Sequence, residues 1–165
     1  MVHRILLIVG LLLLTPIAMA QETPVQLREL SGAIVDWQRP HEKDGWLLLK
    51  VWSPDCRVCH ETAHEVVALD KQGAANLRIL GIALHHDDNV SAVRDFIRQH
   101  QIEFQNLLDD GSSVRDIYKS ATGNFWGGWT PTFLLFAPGG KLAAKNIGPV
   151  RAQDVVAFIH NYSPP

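Results

Sequence analysis

The chain has 165 residues, 47% of them hydrophobic and 19% charged, with a formal net charge of −2 at pH 7. This length suffices for one domain with its own core, and no internal repeat, low-complexity tract or interdomain linker interrupts the sequence. The mildly acidic balance without a basic block argues against a nucleic-acid partner.

The N-terminus has the pattern of a secretory signal peptide. His3 and Arg4 precede an uninterrupted apolar run over residues 5–14, and residues 18–20 read Ala-Met-Ala, the small-residue pattern of a cleavage site. The run is shorter than the about 20 residues that a membrane span needs. We therefore predict a signal peptide at residues 1–20 and an exported domain over residues 21–165, with an uncleaved anchor as the alternative.

Strands and helices are expected to alternate after the signal peptide. In chain order we predict a short strand or hairpin within 21–45, strands at 47–52 and 77–84, helices at about 56–72, 90–101 and 113–118, strands at 132–136 and 142–147 joined by a turn, and a helix at 154–162. The continuous apolar strand 77–84 is typical of a sheet covered on both faces. This order predicts an α/β fold, a mixed central sheet with helices on both faces.

Apolar spacing also predicts the buried sides of two helices. In the helix at 56–72, which is expected to end at Gly73, the inner side comprises Val58, Ala63, Val66, Val67 and Leu69. In the helix at 90–101, Val93, Phe96 and Ile97 have core spacing.

The two cysteines indicate chemistry rather than structure. An exported protein is free to use structural disulfides, yet only Cys56 and Cys59 are present. A bridge across two intervening residues closes too small a loop to stabilise a fold much. We interpret the pair as a redox centre, with an inert disulfide as the alternative.

Two segments carry a resemblance to a known family. Residues 46–59 (WLLLKVWSPDCRVC) read as a buried strand leading into Cys-x-x-Cys at a helix start, and residues 129–136 (WTPTFLLF) read as a Thr-Pro turn entering a strand. Together they resemble the thioredoxin superfamily, in which a strand–CxxC–helix unit faces a cis-proline loop. Residues 79–84 and 104–109 add a similarity to exported proteins of the TlpA/ResA kind, so that the resemblance covers roughly residues 27–162.

Cys56 is expected to be the nucleophile and Cys59 the resolving thiol. The helix dipole and free N–H groups at a helix start stabilise an anion, so we expect the pKa of Cys56 to lie below that of a free thiol. Arg57 adds positive charge nearby, and Cys59, one turn inward, would attack the mixed disulfide. The redox-active disulfide itself then serves in place of any cofactor.

The resemblance implies that Pro131 follows a cis peptide bond and presents an extended substrate, and that Thr130 helps to set substrate handling. The alternative is an ordinary trans proline that opens an edge strand. Before Pro131, Trp126 and Trp129 lie among glycines with Phe125, which predicts an aromatic substrate-binding lip. Burial of at least one tryptophan is the alternative.

The chain departs from the family where protons are handled. Thioredoxin places a buried carboxylate six residues before the first cysteine, and here that position is Lys50. A lysine there could lower the pKa of the thiol and make the disulfide more oxidising, or its ammonium could extend to water. ResA-like proteins carry Glu three residues after the second cysteine, where this chain has Thr62, with Glu61 one place earlier. Glu61 is, with Lys50 and Arg57, a candidate for tuning the pKa of the cysteine pair, and sequence alone leaves the proton-handling group unassigned.

Three rival interpretations compete with that of a redox centre. Cys56 to His60 matches the c-type haem motif C-x-x-C-H, and Cys56, Cys59, His60 and His64 could bind a metal such as copper, as could residues 85–88. A peroxiredoxin lacks support because Ser53 stands where that family has Thr.

We therefore expect a monomeric periplasmic thiol–disulfide oxidoreductase without a metal or a nucleic-acid partner. Its partners would be protein thiols or disulfides and a membrane thiol–disulfide electron donor or acceptor. The resemblance favours a reductase, including a role in cytochrome c maturation, over an oxidase or isomerase.

Overall fold

A computed structural model describes residues 25–36, 45–73, 76–85 and 90–163. The predicted signal peptide at residues 1–20 lies outside these ranges. All statements about structure below concern the described residues.

One mixed sheet of seven strands organises the described chain, in the order β2-β1-β5-β4-β3-β6-β7. The strands are β1 Gln26–Glu29, β2 Ile34–Asp36, β3 Trp46–Trp52, β4 Leu77–Leu84, β5 Asn106–Asp109, β6 Thr132–Phe136 and β7 Leu142–Ile147. Strands β3, β4 and β5 run parallel to one another, whereas β6 pairs antiparallel with both β3 and β7, and β1 pairs antiparallel with both β2 and β5.

Helices cover both faces of this sheet. They are α1 Arg57–Glu61, α2 Ala63–Gln72, α3 Val90–Gln99, α4 Ser112–Thr122 and α5 Ala152–Asn161. Helices α1, α2, α3 and α5 pack on one face, and α4 packs on the other. The predicted α/β class, with a mixed central sheet and helices on both faces, is confirmed.

Strand β3 lies at the centre of the molecule and is buried along its whole length. Its side chains alternate between the two faces, as the pleat of a strand requires. Leu48 and Trp52 enter the core that also contains Cys59 of α1, whereas Leu49 and Val51 enter the core under α4. The alternation places the side chain of each even-numbered residue of β3 on the face that carries the cysteine helix.

The predicted helix at 56–72 is two helices, with a break at Thr62. The Thr62 hydroxyl and the Thr62 N–H both donate to the carbonyl of Val58, at 2.7 Å and 3.1 Å, and Thr62 leaves helical dihedrals at φ −115° and ψ 10°. This side-chain bond to the preceding turn bends a helix. Val58, predicted to face inward, is instead 36% exposed, because the buried side chain of α1 is that of Cys59, about 100° further round the helix. The predicted end at Gly73 is confirmed.

Strand β5 and the full length of α4 were not predicted. Strand β5 has only four residues, Asn-Leu-Leu-Asp, which is too short for a periodic signal. Helix α4 begins before the predicted residue 113 because the carboxylate of Asp109 accepts the N–H groups of Gly111, Ser113 and Val114, at 2.8 Å, 3.3 Å and 3.0 Å. These bonds satisfy N–H donors that a helix start leaves unpaired.

Gly81 in β4 has no side chain and so makes room for a buried amide that forms two hydrogen bonds. Gly81 lies between Lys50 of β3 and Asn106 of β5 in the sheet register. The Asn106 amide fills the space above Gly81, where it accepts the indole N–H of Trp52 at 2.9 Å and donates to the carbonyl of Phe104 at 2.9 Å. A Cβ on Gly81 would lie 2.8 Å from the Asn106 Cγ and would overlap Oδ1.

We expect Gly81→Ala to lower the free energy of unfolding by about 2 kcal/mol, the usual cost of overpacking a core. Asn106→Ala, which removes the obstructing amide, gives the matched background. In that background Gly81→Ala should lower the free energy of unfolding clearly less. Urea denaturation of the wild type, the two single variants and the double variant measures the difference. If the losses of unfolding free energy in the two single variants simply add up in the double variant, the Asn106 amide is not the obstacle.

Candidate active site

The two cysteines lie where β3 ends and α1 begins, as predicted. After β3, residues 53–55 make a turn in which the Cys56 N–H donates to the carbonyl of Ser53 at 3.1 Å. Cys56 and Cys59 form a disulfide with their Cα atoms 5.2 Å apart. Cys56 is partly accessible to solvent, whereas Cys59 is fully buried. A partner from solution can therefore approach Cys56 and not Cys59.

Cys56 caps the helix that contains its partner. Its backbone is extended, at φ −80° and ψ 105°, and its Sγ accepts the N–H of Cys59 at 3.0 Å. A hydrogen bond to the charged form of an acid favours that form. This geometry would stabilise a thiolate on Cys56 once the disulfide is reduced.

Pro131 lies just before β6, at the same end of the central strands as the disulfide. The peptide bond between Thr130 and Pro131 is cis, and the Pro131 carbonyl accepts the N–H of Gly148 at 2.9 Å. The next residue, Thr132, pairs with Val51 near the end of β3. Pro131 is buried and Thr130 partly so. The sheet register thus brings the Thr-Pro segment beside the end of β3, from which the chain leads to Cys56.

The two tryptophans before Pro131 have different environments. Trp129 is 52% exposed and Phe125 is 76% exposed, so both are available to a partner. Trp126 is 2% exposed, and its indole N–H donates to the Thr132 hydroxyl at 3.2 Å inside the core under α4. The predicted substrate contact is therefore wrong for Trp126, whose hydrogen bond instead holds the loop onto β6.

The backbone supports the exposed indole of Trp129. A Cβ on Gly127 would lie 2.5 Å from two atoms of the indole ring, so the ring rests against the backbone of that glycine. The carbonyl of Trp129 also accepts the Thr132 hydroxyl at 2.6 Å. Trp129 is thus fixed at both its ring and its backbone.

Lys50 is fully buried in the middle of β3. Its Nζ has no hydrogen-bond partner among the described residues, and its ammonium does not extend to water. Burial lowers the pKa of Lys50 from 10.5 to about 8, because the charged form loses its hydration. The structure thus excludes the alternative of a lysine whose ammonium reaches solvent.

A pair of histidines that sequence reasoning did not connect lies beside the cysteine helix. His60 Nε2 is 2.8 Å from the carbonyl of Pro54, and His60 Nδ1 is 2.9 Å from His100 Nε2. Because a carbonyl only accepts, we assign the proton of His60 to Nε2, which makes Nδ1 the acceptor of the His100 N–H. The ring of Phe96 packs against both imidazoles and against Trp52.

The pair is electrostatically linked to Lys50. Partial burial lowers the pKa of His100, and the neighbouring charges of His60 and Lys50 lower it further. Nothing in the local sequence around His100, at the end of α3, indicated this contact, which depends on the packing of α3 against α1.

Arg57 and Glu61 form an ion pair with each other at the surface. Their side chains are 89% and 52% exposed, and Arg57 Nε donates to Glu61 Oε1 at 2.7 Å. Opposite charges in contact largely cancel at a distance, and water screens what is left. This arrangement gives no support to their predicted influence on the pKa of Cys56.

Among the described residues, the side chains named in the metal interpretations do not come together as a cluster. Both ring nitrogens of His60 are occupied, and the side chain of His64 is 73% exposed, 3.6 Å from Glu65. Within the described ranges no three His, Cys, Asp or Glu side chains come together as a metal site would require. Residues 86–88 of the other predicted metal cluster lie outside those ranges.

None of the helices in the described part of the chain is long and apolar enough to cross a membrane.

We expect Lys50→Met to raise the free energy of unfolding of the oxidised protein by about 3 kcal/mol at neutral pH, the equivalent of its pKa shift. The pKa of Lys50 is lower in the folded protein than in the unfolded chain, so unfolding takes up a proton between about pH 8 and 10.5. The loss of unfolding free energy that comes from burying the charged Lys50 therefore has its full size below about pH 8 and vanishes above pH 10.5.

Chemical denaturation across this pH range measures the difference between Lys50→Met and the wild type. The exposed Lys141 provides the control, since Lys141→Met should change stability little at any pH. A stabilisation of Lys50→Met that is the same at neutral pH and above pH 10.5 would mean that the ionisation of Lys50 is not its cause.

Comparison with curated proteins finds a similarity to the thiol-disulfide oxidoreductase ResA of Bacillus cereus. The two are 23% identical over 121 residues, which are 72% of this chain and 64% of ResA. The chain therefore spans less than two thirds of the length of this relative.

Solved structures show the same fold. A secreted disulfide oxidoreductase of Mycobacterium tuberculosis, homologous to DsbE of E. coli, matches with a TM-score of 0.65 at 20% identity, covering 84% of this chain and 96% of that one. StoA from Bacillus subtilis matches with a TM-score of 0.64 at 18% identity, covering 83% and 98%. These similarities confirm the thioredoxin-like fold. The AhpC/TSA family model matches residues 20–145, and the chain belongs to that family.

Proposed function

We propose that the protein is a thiol–disulfide oxidoreductase that exchanges electrons between its Cys56–Cys59 pair and cysteines of other proteins. One observation carries the proposal: an accessible Cys56 is bonded to a fully buried Cys59 at the junction of β3 and α1. A structural disulfide has no need of this asymmetry, whereas exchange needs one sulfur for the partner and one protected from it. The names of the relatives agree with this activity.

The reaction has two steps in the reducing direction. The thiolate of Cys56 attacks a substrate disulfide, so that a Cys56–substrate bond forms and one substrate thiolate leaves. The thiolate of Cys59 then attacks the sulfur of Cys56, which restores the Cys56–Cys59 bond and releases the second substrate thiolate. Two electrons pass to the substrate, and no cofactor besides the disulfide is needed.

The segment around Pro131 would hold the substrate. The backbone of Thr130, which precedes β6 and lies near the end of β3, would pair with an extended peptide. Trp129, with exposed Phe125 nearby in sequence, would add apolar contacts. We propose that this surface binds an extended protein segment around the reacting cysteine.

The direction of electron flow has two candidates. We propose a reductase of exported proteins, supplied with electrons by a membrane thiol–disulfide partner and serving apocytochrome c cysteines among its substrates, which the ResA relationship favours. The buried charge of Lys50 favours the second candidate, an oxidase or isomerase, because a positive charge stabilises the thiolates of the reduced form.

The remaining parts of the proposal concern location and assembly. The apolar segment at residues 5–14 and the small residues at 18–20 support export to the periplasm by a cleaved signal peptide. We propose that the exported domain acts as a monomer, and its acidic balance argues against nucleic acid as a partner.

The assignment of nucleophile and resolving thiol predicts opposite behaviour for two serine variants. Cys59→Ser should accumulate mixed disulfides with partner proteins, because Cys56 still attacks and nothing resolves the product. Cys56→Ser should exchange with no partner. Non-reducing gels of acid-quenched periplasmic extracts measure both, and trapped species in Cys56→Ser instead would reverse the assignment.

The reduction potential of the mature domain decides between the two directions. Equilibration with glutathione and dithiothreitol, followed by thiol trapping, should give about −250 mV or lower for an electron-delivering reductase. A value between about −120 and about −180 mV would establish the oxidase or isomerase in its place.

A further inference from the structure

We propose that Glu65 is a positioning residue, which fixes the Thr-Pro segment (Thr130 and Pro131) relative to the cysteine pair through a hydrogen bond to the start of α5. This role rests on the proposed exchange activity, because it concerns how a protein substrate is held against Cys56. Three contacts lead from the cysteine helix through the start of α5 to the carbonyl of Pro131.

The first contact is the carboxylate of Glu65, which crosses from α2 to α5. Glu65 lies in the first turn of α2, and its Oε2 accepts the backbone N–H of Ala152, the first residue of α5, at 2.8 Å. The N-cap residue Arg151 makes no side-chain cap, and its guanidinium binds the carboxylate of Asp154 at 2.8 Å and 3.0 Å. The first N–H groups of a helix have no partner within the helix. Glu65, 87 residues away in sequence, therefore supplies the acceptor that the N-cap side chain does not.

The second contact holds Pro131 to the chain between β7 and α5. The first residue after β7, Gly148, donates its N–H to the carbonyl of Pro131 at 2.9 Å. The side-chain amide of Asn146, in β7, donates to the carbonyls of Gly148 and Pro149 at 3.0 Å and 3.1 Å. One end of this connection is therefore tied to the Thr-Pro segment, and the other end is tied to α2 by Glu65.

The third contact fixes Glu65 relative to the cysteines. The Glu65 N–H donates to the carbonyl of Thr62 at 3.2 Å, and the hydroxyl and the N–H of Thr62 donate back to α1. On the inner side of α2, Ala63 and Val66 are buried in the core cluster that contains Cys59. Glu65 therefore keeps a fixed place relative to Cys59, and its bond to α5 extends that geometry to the connection that holds the Thr-Pro segment.

The separation between Cys56 and the Thr-Pro backbone matters for a protein substrate. Under the proposed function, an extended peptide pairs with the backbone of Thr130 while its own sulfur reacts with Cys56. Both interactions form together when these two parts of the site keep their separation, and a misplacement of about 1 Å can slow a reaction about a hundredfold. A small disulfide makes no such backbone pairing, so its reaction depends on the access to Cys56 alone.

Removal of the carboxylate should therefore affect protein and small disulfides differently. We expect Glu65→Ala to lower kcat/KM for the reduction of insulin by about fivefold to about tenfold, chiefly through a higher KM, and to change the rate with Ellman's reagent by less than about twofold. Glu65→Gln keeps an oxygen that can accept the Ala152 N–H and should restore most of the lost kcat/KM. Equal losses with insulin and with Ellman's reagent would overturn the proposal.

Ala152→Pro removes the donor of the bond instead of its acceptor. Proline has no N–H and is tolerated at the first position of a helix, and the extended dihedrals of Arg151, φ −96° and ψ 141°, suit a residue before proline. Ala152→Pro should reproduce the insulin defect of Glu65→Ala, and the double variant should be no slower than either single variant. Defects that multiply in the double variant would contradict the role of this bond.

Asp154→Ala controls for a general weakening of α5. It removes the exposed ion pair with Arg151 in the same helical turn and leaves the bond from Ala152 to Glu65 in place. Its kcat/KM for insulin should stay within about twofold of the wild type, since an exposed ion pair contributes little. A loss as large as that of Glu65→Ala would show that the stability of α5, and not the Glu65 bond, governs the reaction.

Hydrogen exchange provides a measurement that needs no activity. In the oxidised protein, the Gly148 N–H, which donates to Pro131, should exchange about fivefold faster in Glu65→Ala than in the wild type, because the connection that carries it is less constrained. Its exchange in Asp154→Ala should match the wild type. Unchanged exchange of Gly148 in Glu65→Ala would refute the positioning role.

These outcomes are distinct from those that test the function. A wild type that reacts with Ellman's reagent but reduces no protein disulfide would refute the proposed function, and the Gly148 exchange rates would still support or refute the link through Glu65. Reduction of insulin at the wild-type rate by Glu65→Ala would refute the role of Glu65 alone.

Discussion

The burial of β3 between β4 and β6 is the constraint on which the site depends. A strand that is covered on both faces and paired on both sides cannot shift within the sheet. The last residue of β3 therefore fixes where the cysteine turn begins. The same antiparallel pairing with β6 brings Pro131 to that end of the sheet. The main-chain hydrogen bonds between β3 and β6 thus position both the redox pair and the Thr-Pro segment.

The pleat of β3 has a second consequence, which is electrostatic. Since side chains alternate, residue 50 lies on the same face of β3 as Trp52 and enters the core that contains Cys59. In this chain that residue is Lys50. A buried ammonium without a partner is costly in a static structure. A thiolate formed at the cysteine pair would offset part of that cost, and the stability of the domain would then depend on the oxidation state of its cysteines.

Much of this organisation could be predicted from the sequence, and the omissions have physical reasons. The apolar runs of β3 and β4, the helix start at Cys56 and the exposure of Trp129 follow from local patterns. The break at Thr62 depends on a hydroxyl bond that hydrophobic spacing does not register. The burial of Trp126 and the His60–His100 contact depend on how distant elements pack. Sequence does not show whether a lysine in the middle of a strand reaches water, so Lys50 could be interpreted either as a buried charge or as a side chain that extends to solvent.

The contact between the indole of Trp129 and the backbone of Gly127 bears on the entropy of recognition. A tryptophan on an open loop would lose side-chain freedom when a partner binds, which lowers affinity. Here the ring is already held against main chain, and the Thr132 hydroxyl holds its carbonyl, so most of that freedom is lost during folding. An aromatic surface prepared in this way can bind a partner segment through few contacts, because little side-chain freedom is left to lose.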